Sequence, residues 1–234
     1  MDYSVQFAIV LVVSFIVSFV LSCALGREDG EDEGKTEKKA RSQGEPGTAE
    51  KDEDQKTDGQ ERDHQGENLI IDQLLAAMPQ IDPEANTLYA PVKGNVISRD
   101  AIPDETFASG MLGDGVGIEP EAGVVVAPCD GEIASLTDTR HAIGMVGAGG
   151  LELLIHVGVD TVNMKGDGFE LFVKMGDKVK TGQKLLTFDI EKIKAGGYST
   201  TTAVLVANTY QFSACRVEKT GKSELLDKIV VLEK

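Results

Sequence analysis

Four patterns of hydrophobic and polar residues follow one another along the chain. Residues 7–25 are apolar apart from three serines, residues 27–68 lack large apolar side chains, and residues 69–78 carry apolar residues at helical spacing. From Leu88 onward, short runs of Val, Ile, Leu and Thr alternate with Gly, Pro, Asn and Asp, a pattern typical of an all-β antiparallel sandwich or barrel. We therefore predict four segments with boundaries at 1–26, 27–68, 69–87 and 88–234.

The first segment is long enough to cross a bilayer. Its apolar run, residues 7–25, spans roughly 28 Å as a helix, about the thickness of the hydrocarbon core. A secretory signal requires a basic residue before its apolar run, but residues 1–6 contain no Lys or Arg. Five basic residues instead follow the run, between Arg27 and Arg41. The positive-inside rule then places residues 27–234 on the cytoplasmic side of the cell membrane. An outside amino terminus is natural for the last helix of a longer membrane domain, so we expect a carboxy-terminal part of a multidomain membrane protein, or a descendant of one.

The second segment is predicted to be a disordered acidic linker. Residues 27–68 hold fifteen acidic and eight basic residues and no Val, Ile, Leu, Met, Phe, Tyr or Cys. Such a composition cannot bury a core. A flexible chain of about 42 residues reaches on the order of 35 Å, which lets an attached domain move over the neighbouring membrane surface.

Local patterns place two helices and eight strands after the linker. Residues 69–78 are predicted to be helical, with Asn68 as the N-cap and Pro79 as the stop, and to dock on the following domain. A second short helix is predicted near residues 190–195. The predicted strands are residues 94–98, 115–120, 124–127, 131–137, 140–146, 151–157, 184–189 and 203–207.

Charge and cysteine content exclude some functions. The net charge of −16 argues against a protein that binds nucleic acid, because neutralising phosphates requires clustered Lys and Arg. Cys23, Cys129 and Cys215 form no CxxC pair and cannot make an even disulfide framework, which favours a reducing compartment.

The candidate chemistry lies in one predicted hairpin. If residues 147–150 form a four-residue turn, Val146 pairs with Leu151 and His141 stands directly opposite His156. Their β-carbons would then be roughly 4.5–5.5 Å apart on one face, surrounded by apolar residues such as Ile143. Neutral imidazole is a nucleophile, and a second imidazole can hold phosphate oxygens by donating a hydrogen bond. The pair predicts a shallow phosphoryl-transfer site with exposed ring nitrogens.

The residues of this hairpin resemble a known family. Residues 150–162, Gly-Leu-Glu-Leu-Leu-Ile-His-Val-Gly-Val-Asp-Thr-Val, preceded by Thr-Arg-His-Ala-Ile at 139–143, look like the active site of the glucose/β-glucoside type enzyme IIA domain of the bacterial phosphoenolpyruvate-dependent sugar phosphotransferase system. Further motifs stand in the order of that family at 90–94, 113–120, 127–131, 166–169, 176–182 and 188–189. The resemblance covers nearly all of residues 88–234.

The resemblance implies a phosphocarrier that works through a phosphohistidine intermediate without cofactor or metal. His156 matches the phosphorylated histidine, which is loaded by the histidine-containing phosphocarrier protein and discharged onto a cysteine of a IIB domain. His141 matches the second active-site histidine, Thr139 the residue that hydrogen-bonds it, and Asp160 an acidic neighbour. The IIB and IIC domains of a sugar permease are the implied partners. Some members carry this domain behind a IIC domain and a linker, which suits residues 1–68.

Three alternatives stay open. The spacing of His156 and Asp160 also suits a zinc-ligand pair of LytM-type peptidases, although the second His-x-His element of those enzymes is absent. Residues 176–183 resemble a motif of lipoyl and biotinyl carrier domains, but Met164-Lys165 precedes that motif instead of following it. The domain could also be a regulatory module that binds other transporters or enzymes when unphosphorylated, as some relatives do.

Overall fold

The computed structural model describes residues 64–234, with side-chain burial described from residue 69 onward. The predicted membrane segment, residues 7–25, and the predicted linker as far as residue 63 lie outside the described residues. Within residues 64–234, no helix is both long and apolar enough to cross a bilayer.

Three α-helices are found in the described part: α1 (His64–Ala76), α2 (Glu105–Ala108) and α3 (Ile190–Ala195). Helix α1 begins at His64, so the prediction of Asn68 as its N-cap is wrong. Helices α2 and α3 have Asp104 and Asp189 as N-caps, each accepting a backbone N–H within its first turn.

Helix α1 docks on the domain, as predicted. Leu74, Leu75 and Met78 pack, together with Ile81, against a buried cluster of Tyr89, Val126, Leu225 and Leu226. The helix stops before Pro79, which disfavours a helical conformation for the residue preceding it.

Strands make up most of the regular structure in the described part. They are β1 (Thr87–Tyr89), β2 (Gly94–Ser98), β3 (Asp114–Pro120), β4 (Val124–Val126), β5 (Gly131–Leu136), β6 (Ala142–Gly147), β7 (Leu151–His156), β8 (Phe169–Leu171), β9 (Lys178–Val179), β10 (Lys184–Phe188), β11 (Thr202–Val206), β12 (Ala214–Val217), β13 (Gly221–Ser223) and β14 (Lys228–Glu233).

The strands pair in three sheets, and every pairing is antiparallel. The largest sheet has the order β13-β2-β3-β11-β7-β6-β5-β9, and two three-stranded sheets have the orders β1-β14-β12 and β4-β10-β8. The predicted all-β antiparallel architecture is confirmed for the described domain. Strand β7 lies inside the large sheet, hydrogen-bonded to β6 on one side and to β11 on the other.

The two faces of strands β6, β7 and β11 bury different clusters. One face contributes Ile143, Met145 and Ile155 to the main hydrophobic core. The opposite face forms a smaller cluster that contains Leu154 and Leu205. Residues 99–113, which we call the covering segment, close this second cluster with Ile102, Phe107 and Leu112.

Candidate active site

The register of the β6–β7 hairpin differs by one residue from the predicted one. Gly147 continues β6 and pairs with Leu151, and the residues between them form a three-residue 3₁₀ turn. Gly147 fits this position because a β-carbon there would approach the Cys129 Sγ to 2.7 Å. His156 therefore pairs with Ala142, and the prediction that it pairs with His141 is wrong.

This register changes which residues surround His156. Residues paired across antiparallel strands share a face, so His156 lies between Ala142 of β6 and Ala203 of β11. Ile143 points to the main core and does not border the site, contrary to the prediction.

The two imidazole rings nevertheless meet. Their centroids are 4.6 Å apart, and the ring planes stand nearly perpendicular at 81°. His141 precedes the first residue of β6, and Arg140 before it adopts the left-handed conformation with φ 60°. The carbonyl oxygen of His141 accepts a 2.8 Å hydrogen bond from the Val157 N–H, which keeps the two histidines side by side.

The Nδ1 atom of His156 is held by the backbone. It lies 2.8 Å from the carbonyl oxygen of Gly158, which can only accept a hydrogen bond. Nδ1 must therefore carry the proton, which leaves the lone pair on Nε2. Gly158 adopts φ 77°, and a β-carbon there would lie 2.3 Å from Thr161 Cγ2. The glycine thus brings its carbonyl close to the imidazole.

Thr139 holds the other ring. Its Oγ1 lies 2.7 Å from Nδ1 of His141. A hydroxyl can donate to this nitrogen or accept from it, so the contact fixes the ring's orientation in either tautomer.

Both rings are buried, although exposed nitrogens were predicted. His141 is 2% exposed and His156 is 5% exposed. The Phe107 ring of the covering segment lies 4.9 Å from the His156 ring, centroid to centroid, and explains part of this burial. Phe107 was not foreseen as a site residue.

Burial keeps the two imidazoles neutral. It lowers the pKa of His141 to about 3, with a further lowering by the neighbouring His156. It lowers the pKa of His156 to about 4, against the opposing effect of the hydrogen bond to Gly158. At pH 7 both rings are therefore uncharged, the state in which imidazole is a nucleophile.

Asp160 lies at the surface, two residues beyond Gly158. It adopts the left-handed conformation with φ 59° and precedes the 3₁₀ turn Thr161–Met164. Within the part of the chain that the structure describes, its carboxylate has no hydrogen-bond or ion-pair partner. Among the described residues, no three His, Cys, Asp or Glu side chains are grouped so that they could hold a metal ion.

Comparison with known proteins identifies the family to which this domain belongs. The family model for the phosphoenolpyruvate-dependent sugar phosphotransferase system, EIIA 1, matches residues 86–212. The PTS system glucose-specific EIIA component of Halalkalibacterium halodurans is 45% identical over 149 residues, which cover 62% of this chain and 86% of that protein. The PTS system beta-glucoside-specific EIIBCA component of Bacillus subtilis is 41% identical over 145 residues, or 62% of this chain, but these span only 24% of its length.

A solved structure shows the same fold. Glucose permease IIA from Mycoplasma capricolum superposes with a TM-score of 0.59 at 30% identity, covering 65% of this chain and 99% of that one. Fold and family match together define a phosphocarrier domain of the sugar phosphotransferase system. The chain belongs to the EIIA 1 family of that system, and phosphoryl transfer is the general reaction of such a domain.

Proposed function

We propose that His156 is the residue that carries the phosphoryl group in this domain. It accepts the group from the histidine-containing phosphocarrier protein and passes it to a cysteine of a IIB domain during sugar uptake. The hydrogen bond from Nδ1 to the Gly158 carbonyl carries the proposal, because it leaves Nε2 as the one nucleophilic atom of the ring. The Nε2 lone pair forms the new N–P bond while the donor's bond to phosphorus breaks and its electron pair returns to the donor.

His141 serves transfer as a hydrogen-bond donor. When the Thr139 hydroxyl donates to Nδ1 across 2.7 Å, the proton of the neutral His141 ring resides on Nε2. With the ring centroids 4.6 Å apart, that N–H can reach an oxygen of a phosphoryl group on His156. A donor placed where negative charge increases during transfer lowers the barrier.

The burial of His156 suits a carrier that must hold a labile bond. Phosphohistidine has a high transfer potential, so the protein has to align donor and acceptor and limit attack by water. A ring that is 95% covered, with Phe107 packed against it, offers water little access. Donor and acceptor proteins must then reach Nε2 in turn at this one site.

Charge supports docking of a basic donor. The net charge of the chain is −16, and Asp160 presents a carboxylate close in sequence to the Gly158 contact. Opposite charge on the donor would speed encounter and orient it. The proposal also covers partners and location. The IIB and IIC domains of a sugar permease are the partners, residues 7–25 cross the membrane, and the domain lies on its cytoplasmic side.

The experiment is phosphoryl labelling of the full chain. Radiolabelled phosphoenolpyruvate and the general donor proteins should label the wild type, and His156→Ala should abolish the label. His64→Ala, at the first residue of α1, serves as the matched control and should be labelled normally. A His156→Ala variant that still takes up label at the wild-type rate would overturn the proposal.

A further inference from the structure

We propose that the guanidinium group of Arg140 contacts the phosphoryl group on His156 and balances its negative charge. The inference rests on the proposed function of His156. It adds a cationic residue to a site that otherwise contains two imidazoles and a threonine hydroxyl.

In the unphosphorylated site, the histidine pair supplies no positive charge to an arriving phosphoryl group. A phosphoryl group carries nearly two negative charges at neutral pH. Both imidazoles are uncharged at that pH, because burial holds their pKa values at about 3 and about 4. Neutral N–H donors stabilise an anion less than charge-assisted hydrogen bonds do, and guanidinium is well suited to phosphate oxygens.

Arg140 is placed beside the pair by its backbone and by one hydrogen bond. It directly precedes His141, and its Nη1 donates to the carbonyl oxygen of Phe169 across 3.3 Å. The Phe169 ring in turn lies 6.5 Å from the His141 ring, centroid to centroid. The guanidinium therefore lies on the Phe169 side of the His141 ring. Only one of its five N–H donors takes part in that bond, and the others are free to bind an anion.

The charge of Arg140 is not neutralised within the domain. Three arginines lie in the part of the chain that the structure describes, and two of them form ion pairs, Arg99 with Asp114 and Arg216 with Glu233. Arg140 has no carboxylate partner among the described residues and is exposed. In a chain with a net charge of −16, an unpaired arginine next to two neutral histidines is a marked local exception.

The backbone conformation of Arg140 allows the guanidinium to be removed without disturbing the turn. Its φ of 60° is a conformation that costs a residue with a β-carbon roughly 1 kcal/mol and that glycine adopts freely. Substitution by glycine is thus expected to preserve the turn while removing the guanidinium. Arg140→Gly therefore tests the effect of the positive charge separately from any effect on folding.

A small phosphoryl donor tests the inference without any partner protein. The full chain is incubated with phosphoramidate, and formation of phosphohistidine at His156 is followed by ³¹P NMR. We expect Arg140→Gln and Arg140→Gly to accept the group at least tenfold more slowly than the wild type, and Arg140→Lys to fall between them. Lys222→Gln removes the same charge from strand β13, four strands from β7 in the large sheet, and should match the wild type.

The outcomes distinguish this inference from the proposal on which it rests. If the wild type, Arg140→Gln and Arg140→Gly react at the same rate, the role of Arg140 is overturned while that of His156 stands. If the variants are slow only with the protein donor, Arg140 contacts that donor and not the phosphoryl group, which also overturns the inference. A wild type that accepts phosphate on another residue would overturn the function proposed for His156.

Discussion

The rings of His141 and His156 meet almost perpendicularly, with centroids 4.6 Å apart, and each has its Nδ1 held by a different group. The Gly158 carbonyl holds one ring, and the Thr139 hydroxyl holds the other. In the proposed mechanism, Nε2 of His156 is the nucleophile and Nε2 of His141 is the hydrogen-bond donor. These proposed roles depend on the groups that hold the two Nδ1 atoms.

Replacing Thr139 by valine should impair transfer from the site. Valine keeps the branched shape but cannot hydrogen-bond to Nδ1 of His141, so the orientation of that ring is less firmly held. A neutral hydrogen bond of this kind contributes about 0.5–1.5 kcal/mol, which corresponds to a roughly 2- to 12-fold slower transfer to the IIB acceptor. Rapid-quench kinetics would measure the rate. Thr139→Ser retains the hydroxyl and should recover most of it, and equal rates for the valine and serine variants would contradict the role of Oγ1.

His141→Gln should separate the two halves of the reaction. His156 and its Gly158 contact stay intact, so the variant is expected to accept labelled phosphate. Onward transfer should fall by about tenfold or more, because the hydrogen-bond donor to the transferring group is lost or misplaced. The two rates can be measured on one sample by loading it first and then adding the acceptor. Onward transfer at the wild-type rate would remove His141 from the mechanism.

Gly158→Ala should destabilise the domain and disturb His156 together. The added β-carbon would lie 2.3 Å from Thr161 Cγ2 and 2.8 Å from the Ser199 carbonyl oxygen, at a φ of 77°. We expect a loss of more than about 1 kcal/mol in the free energy of unfolding, and slower phosphate acceptance at temperatures where the variant is folded. Urea denaturation measures the first quantity.

Gly221→Ala supplies the control for that substitution. Gly221 has a similar φ of 81°, but a β-carbon there would meet no atom within 4 Å. It should therefore show the conformational cost alone, with normal phosphate acceptance. If the two alanine variants lost equal stability and both accepted phosphate normally, steric exclusion at Gly158 would have no part in the site.

Stability should fall as the pH is lowered through the range of histidine titration. The folded-state pKa values of about 3 and about 4 lie below the unfolded value near 6.5, so the unfolded chain takes up protons that the folded chain does not. The stabilising contribution is full above pH 6.5 and is lost progressively as pH falls toward 3, at up to about 1.4 kcal/mol per pH unit for each ring. Urea denaturation between pH 7 and pH 4 would show it.

The double variant His141→Gln/His156→Gln isolates this effect from other titrating groups. Burial raises the pKa of Glu152, which acts in the opposite sense because its stabilising contribution grows as pH falls. Glu152 is present in both proteins, so the difference between them reports on the histidines. Curves of equal slope for the wild type and the double variant would show that burial does not depress the two pKa values.

Periodicity predicted eight of the fourteen strands in the described part and missed six, among them the six-residue strand β14. All eight predicted strands have counterparts, and β2 and the short helix α3 have the predicted bounds. Strands such as β1, β8 and β9 were not predicted because they are two or three residues long. Such strands are specified by partners distant in the chain, as β1 is by β14, and local sequence carries little of that information.

Three of the four residues predicted for the site lie together, whereas Asp160 lies at the surface, and the surroundings of the site were not predicted. The motif around His156 named His141 and Thr139, and the structure brings those three side chains together. The register was wrong because Gly147 can belong either to a strand or to a turn, and the sequence does not show that Cys129 Sγ lies where a β-carbon at this position would be. Burial was missed because Phe107 comes from the covering segment, and the pattern of one hairpin does not reveal what packs on it.

The three-residue turn between β6 and β7 also limits how this gene can vary. One added or deleted residue in that turn would favour a pairing of β6 and β7 shifted by one residue. In the shifted pairing, the side chains of one strand would lie on the opposite face of the sheet from their present partners. His156 would then face away from Ala142, among the aliphatic side chains of the main core. Among natural variants of this chain, length differences should therefore accumulate in other loops, while this connection keeps its length even where its residues change.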